Sequence, residues 1–156
     1  MAFTKLSDTL NAQGGTAYII INKSQRPLFE LSSLKAQIDY TVTSKRMLGN
    51  RMTQHKVTGA EGTGSLTMYF ANSQMLNQAL AYLSGGTYTG ITLKVKNEDP
   101  ASTIGSQEVA LYNCILNTVP VASLDDSSDD PITFDSDFTF DSMEVLSSFV
   151  LPENFR

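Results

Sequence analysis

Leu34, Ala36, Ile38, Tyr40 and Val42 alternate with Lys35, Gln37, Asp39, Thr41 and Thr43. Apolar residues at period two predict a strand with one face buried. The same alternation predicts strands over 64–71, with Leu66, Met68 and Phe70 on one face, and over 88–96, with Ile91, Leu93 and Val95. It also predicts one over 132–141, where Ile132, Phe134, Ser136, Phe138 and Phe140 alternate with Thr133, Asp135, Asp137, Thr139 and Asp141. Further strands are predicted over 17–22 and 108–119, and 28–31 closes a hairpin with the first across a turn at 22–27. The period changes after Phe70. Met75, Leu76, Ala79, Leu80 and Leu83 form one helical stripe, with Asn72 or Ser73 as N-cap and Gly85-Gly86 as terminator. Many strands and a lone flanking helix predict a mainly β fold, an antiparallel sandwich or barrel. At 156 residues the chain is one domain, 1–156, large enough for its own core.

The first two long strands are joined by a stretch expected to be a loop, 45–64. Its first part is basic and apolar: Lys45, Arg46, Met47, Leu48, Arg51, Met52, His55 and Lys56. Gly49, Gly59, Gly62 and Gly64 give it backbone freedom and close approach. Long connections in small domains are normally functional or disordered, and methionines suit an adaptable surface that seeks a partner. The expectation is an inter-subunit assembly loop. Residues 1–15 read as an N-terminal arm and 142–156 as an ordered or partner-held tail, given Phe149, Val150, Leu151 and Phe155.

The run from Met47 to Ser65, MLGNRMTQHKVTGAEGTGS, resembles the loop of the tail tube (core tail) proteins of contractile phage tails and PBSX-like defective prophages. The likeness runs from about Gly14 to Asp141. It implies a small β-sandwich with one helix, six copies in a ring, and rings stacked into a hollow tube through which DNA passes without specific binding. The partners it implies are further copies of the chain, a tail sheath, a baseplate or initiator, and a tape-measure protein. The place it implies is the tail tube of a virion, assembled in the host bacterial cytoplasm. The tube of a phage-like bacteriocin or another contractile injection system fits the same resemblance.

Charge adds an asymmetry. Residues 1–96 hold ten Lys/Arg against four Asp/Glu, and residues 97–156 hold one against twelve. Opposite halves can attract within a subunit or head-to-tail between subunits. The basic stretch 45–56 admits an alternative of another class, a small nucleic-acid-binding module. Against it stand a pI near 4.7 and the absence of stacking aromatics from 45–64. No apolar run is long enough to span a membrane, and the N-terminal residues lack an apolar signal core, so no membrane insertion is expected.

No constellation supports catalysis, and neither cofactor nor metal is expected. His55 sits between Gln54 and Lys56, away from any nucleophile or ligand set, and Cys114 lies mid-strand as a buried thiol. The glycines lack the Gly-Lys-Ser/Thr ending and following helix of a phosphate loop. Asp125, Asp126, Asp129 and Asp130 lack calcium-loop spacing and read as a solvated turn. Alternation puts Asp135, Asp137 and Asp141 opposite the phenylalanines. Two placements remain open for them: the wall of the channel, where like charge keeps phosphates off, or a surface pairing with Lys94 and Lys96 on a neighbouring strand.

Overall fold

The computed structural model describes residues 4–156. Eight strands and one α-helix follow in the order β1 (Thr16–Ile21), β2 (Ser24–Pro27), β3 (Leu31–Lys45), β4 (Gln54–Tyr69), α1 (Gln74–Gly85), β5 (Ile91–Glu98), β6 (Ser106–Leu116), β7 (Thr133–Phe140) and β8 (Ser142–Ser147). Every pairing is antiparallel, in the spatial order β2-β1-β5-β6-β7-β4-β3, with β8 also on β6. The expected mainly β architecture with one flanking helix is what the chain forms.

β6 serves both layers. Glu108 to Tyr112 pair with β8, while Ile115 and Leu116 pair with β7. Between them Asn113 takes φ 54°, a left-handed conformation that Asn tolerates better than most residues. Its side chain donates to the Asp141 carboxylate at the corner where β7 passes into β8, and the Asp141 N–H donates to the Tyr112 carbonyl at 3.1 Å. The core lies between the layers: Ile19, Ile21, Ile91, Leu93, Leu111 and Cys114 meet Leu66, Met68, Phe138 and Phe140, with Met75 closing one end.

Two glycines set how β4 meets β7. Gly62 is registered opposite Phe140 and Gly64 opposite Phe138. A Cβ on either would run into the facing ring, and on Gly64 it would also stand 2.5 Å from the Lys35 carbonyl oxygen. The rings therefore lie across bare β4 backbone, as aromatics do when they cover glycines on a neighbouring strand.

The root of β3 is fixed by an ion pair. The Glu30 carboxylate is almost fully buried and receives both Arg26 guanidinium nitrogens at 3.0 and 3.1 Å. Arg26 Nε also donates to Gln74 Oε1 at 2.8 Å, tying the start of α1 to β2. Planar bidentate pairing is what guanidinium supplies and ammonium does not.

Three expectations are corrected, and the tail gains a strand. The connection expected at 45–64 is only 46–53, because pairing begins at Lys45 opposite Gln54; glycines and polar residues disguise 54–64 as loop, although they belong to β4, and only Gly62 and Gly64 are required by the phenylalanine rings. The first hairpin turns on Asn22-Lys23, both at positive φ, so β2 starts at Ser24 rather than at 28. Such a two-residue turn matches strand twist, and Asn enters it cheaply. The tail from 142 begins with a strand, β8, on the edge of β6. The helical stripe is half covered: Met75 is buried and Leu76 and Ala79 are half-buried, but Leu80 and Leu83 are exposed, because α1 meets the sandwich through its first turns only. Gly86 ends the helix at φ 71°.

Residues 1–3 of the expected arm lie outside the described residues. The rest docks on the loop after β5. Thr103 N–H donates to the Ser7 carbonyl at 3.1 Å, the Thr103 hydroxyl donates to Asp8 at 2.6 Å, and Asn11 N–H donates to Asp99 at 3.0 Å. The C-terminal segment meets the same loop, through Val150 N–H to the Ile104 carbonyl at 2.9 Å and Arg156 to the Thr103 carbonyl.

Gly64→Ala is expected to destabilise the dispersed subunit by about 1–3 kcal/mol through overpacking. Gly59→Ala is expected to be neutral or mildly stabilising, since its Cβ would lie 3.8 Å from Thr41 Oγ1 in ordinary contact. Urea unfolding of the two variants checks both; equal losses would show that the rings do not depend on bare backbone at 64.

Candidate assembly surface

β7 pairs with β4 only over Gly62–Tyr69. Beyond that point β3 and β4 have only each other, from Asp39 opposite Glu61 to Lys45 opposite Gln54. These seven rungs extend roughly 23 Å at strand rise. A two-stranded ribbon alone is marginally stable in water.

The alternation read in 34–42 is present, but its burial is not. Leu34 packs on the core, whereas Ile38, Tyr40 and Val42 are exposed, Tyr40 at 68%. Across the ribbon Ala60 stands opposite Tyr40 and Val57 opposite Val42, both exposed. A bulge at Thr58 shifts the register between them, and bulges tighten local twist. The core face of the sandwich thus continues as an uncovered apolar row. Sequence reasoning assigned this row to the core; the signal that could have corrected it is length, since β3 and β4 have 15 and 16 residues, more than any strand that faces them.

At the tip, Asn50 N–H donates to the Met47 carbonyl at 3.2 Å, Met52 N–H donates to Asn50 Oδ1 at 3.0 Å, and Gly49 takes φ 83°. This turn presents Met47, Leu48 and Met52 to solvent, Leu48 without any cover. Lys45, Arg46, Arg51 and Lys56 surround them, and among the described residues none of the four is ion-paired; the pairs present are Arg26–Glu30 and Lys96–Glu98. His55 is exposed on β4 opposite Ser44. Gly49 belongs to the tip, Gly59 to the ribbon, and Gly62 and Gly64 to the contact with β7.

The opposite face of β3-β4-β7 is polar. Lys35, Ser65 and Asp137 share one row, Gln37, Thr63 and Thr139 the next, and Asp39 faces Glu61 further out. The Thr67 hydroxyl donates to Asp135 at 2.5 Å, and the Thr63 hydroxyl donates to Asp39 at 3.0 Å. Asp135 and Asp137 are exposed on this face; Asp141 is drawn to the β7–β8 corner by Asn113. The pairing with Lys94 and Lys96 is not formed: β5 lies between β1 and β6, so those lysines flank Tyr18 and Ala110, and Thr16 and Glu108.

No group of three His, Cys, Asp or Glu among the described residues is arranged to hold a metal. The acidic turn is exposed, and hydrogen bonds from the Ser127 hydroxyl and then its amide hold the Asp125 carboxyl below its usual range. No helix of the described residues is long and apolar enough to cross a membrane.

A sandwich whose longest hairpin carries an uncovered apolar row has the form of a structural subunit that completes itself against neighbours. The family model described as phage tail tube protein matches residues 2–147, and the chain belongs to that family. It is 27% identical over 141 residues to "Phage-like element PBSX protein XkdM" of Bacillus subtilis (strain 168), covering 90% of this chain and 92% of that one. Its fold is similar to a chain in the anti-feeding prophage tube-terminating cap, at TM-score 0.67 and 11% identity over 95% of both chains. It is also similar to one in the sheath-tube complex of an extracellular contractile injection system, at TM-score 0.65 and 11% identity over 90% and 95% of the two chains. The protein is a structural subunit of a phage-type tail tube, and the nucleic-acid-binding module is set aside.

Cys114 is fully buried, its thiol set against the Leu111 carbonyl, and burial pushes its pKa up to about 12. Only the thiolate attacks electrophiles. Labelling by iodoacetamide is expected to be negligible in the folded subunit from pH 7 to 9 and rapid after unfolding in guanidinium. Rapid labelling of the folded chain would contradict the burial.

Proposed function

We propose that six copies close into a ring, that rings stack coaxially into a hollow tube, and that the distal β3–β4 ribbon joins neighbouring subunits. The observation that carries this reading is the uncovered row Ile38, Tyr40, Val42, Val57 and Ala60 on a ribbon with no partner beyond Gly62. An apolar strip of this kind marks an interaction surface. The free edges of β3, β2 and β8 are templates for strands of another copy. A second exposed apolar group, Leu80, Tyr82 and Leu83 on α1, offers a further contact.

In this assembly the polar face of β3-β4-β7 forms the channel wall. Asp135 and Asp137 contribute negative charge there, with Lys35 two strands away on β3, and the wall repels DNA phosphates enough for passage without binding. Asp141 takes part at the corner only. The tail sheath, a baseplate or initiator and a tape-measure protein are the other partners, and the tube is built in the host bacterial cytoplasm. A bacteriocin or injection device would use the same subunit geometry.

Electron microscopy of the purified chain tests the assembly: rings or hollow filaments are expected, and a monodisperse monomer at high concentration would contradict it. Amide exchange tests the ribbon. Residues 39–45 and 54–61 should exchange readily in the subunit and become protected in the tube, since ordering is completed at assembly. Unchanged exchange there would remove the ribbon from the interface.

A further inference from the structure

The tip and the acidic loop leave β4 from opposite ends. β4 begins at Gln54, beside the tip 46–53, and ends at Tyr69, opposite Thr133, where the chain emerges from the acidic loop into β7. Phe70 N–H donates to the Ile132 carbonyl at 2.9 Å and fixes that end of the loop; Asn117 N–H donates to the Asp137 carbonyl at 2.8 Å and fixes the other. At strand rise the two poles stand roughly 50 Å apart, so one subunit cannot satisfy both with each other.

The poles match in chemistry. Residues 45–56 hold Lys45, Arg46, Arg51 and Lys56 and no acid; residues 119–132 hold Asp125, Asp126, Asp129 and Asp130 and no base. Each also bears uncovered apolar side chains, Met47, Leu48 and Met52 at the tip, and Val121 and Leu124 on the loop, where Leu124 is 97% exposed. Lone aliphatic groups ringed by charge suit burial at the centre of a small contact with the charges at its rim.

We propose that the basic tip of one copy docks on the acidic loop 119–132 of a second copy, Leu48 and the methionines meeting Leu124 and Val121 within a ring of charge pairs. This rests on the tube reading and gives it a direction. A contact between two different patches is heterologous, closing into a ring or propagating along a stack; patches at opposite ends of β4 suit the contact between rings. Tips repel tips and loops repel loops, so the stack has one polarity. Rim charges of this kind set encounter and register more than affinity, and salt screens them.

Charge reversal tests the pairing. Arg46→Glu with Arg51→Glu takes the tip from a charge of +4 to zero; Asp125→Lys with Asp126→Lys takes the loop from −4 to zero. Each pair of substitutions should raise the concentration needed for filament growth by about tenfold or more at low salt, as expected when about 1.4 kcal/mol or more of attraction is lost. The chain carrying all four substitutions should recover to within about threefold of the unmodified one, because the new glutamates of one tip then face the new lysines of the next copy's loop. Circular dichroism melts of each variant check that the subunit still folds. A second measurement needs no charge change. Leu48→Cys and Leu124→Cys chains, mixed, assembled and oxidised, should cross-link to each other, with Cys114 too buried to interfere. Failure of the four-fold variant to recover, or cross-links only between like variants, overturns the pairing. If the unmodified chain forms neither rings nor filaments, the tube reading itself falls; filaments of normal yield from every variant overturn the pairing alone.

Discussion

β7 stops pairing at Gly62 while β3 and β4 continue, and this mismatch in strand length governs the rest of the molecule. In the body, the β4 backbone is pinned on one side by Phe138 and Phe140 lying over Gly64 and Gly62, and β3 is pinned at its root by Glu30 and Arg26. Both devices sit at or below the last rung shared with β7. Past it the ribbon has hydrogen bonds on its inner edges, an apolar row on one face and nothing to place that row against. A rigid root with an unfinished extension folds as a monomer yet is not fully satisfied as one.

Magnitudes show why a single contact would not complete it. Fully burying a side chain of Val or Ile size is worth about 1.5–3 kcal/mol, and such area-based figures are upper bounds. Five modest residues in the row thus supply on the order of 5–10 kcal/mol. Bringing two proteins together costs an estimated 4–15 kcal/mol in lost freedom before side-chain ordering is counted. One ribbon against one neighbour roughly breaks even. In the proposed tube, several contacts per subunit, made at once around a closed ring and between rings, convert that balance into stable assembly because later contacts form at high effective concentration.

Much of this was legible from residue order. Period two located β3, β7 and the second half of β4, the change of period located α1, and Gly85-Gly86 located its end, because each signal is local. Phe134, Ser136, Phe138 and Phe140 turn inward as alternation required. What could not be read depended on distant partners. Gly62 and Gly64 look like a loop until Phe140 and Phe138 are placed over them, and Gly59 until β3 is paired beside it. Asn22-Lys23 hide a tight turn inside a polar run. Ile38, Tyr40 and Val42 have a core pattern, but nothing local says that β7 is too short to bring the other layer over them. The acids of β7 were placed on the correct face, while their neighbours, Thr67 and Ser65 in place of lysines, follow from strand order, which alternation does not encode.

An uncovered ribbon should be an aggregation hazard, so what keeps the free chain from pairing wrongly bears on how it works. The free edge of β3 carries Lys35, Asp39 and Lys45, and charges on an edge strand discourage unplanned pairing. The bulge at Thr58 twists the ribbon and breaks the regular register that an incoming strand would need. At the tip, four cations around three apolar side chains make any tip-to-tip contact repulsive, and the four aspartates do the same for the opposite pole. The exposed aliphatic side chains at each pole are thus accompanied by charge of a single sign, while the apolar group on α1 has none. In the proposed pairing, specificity comes from the repulsion of wrong contacts as much as from attraction at the right one.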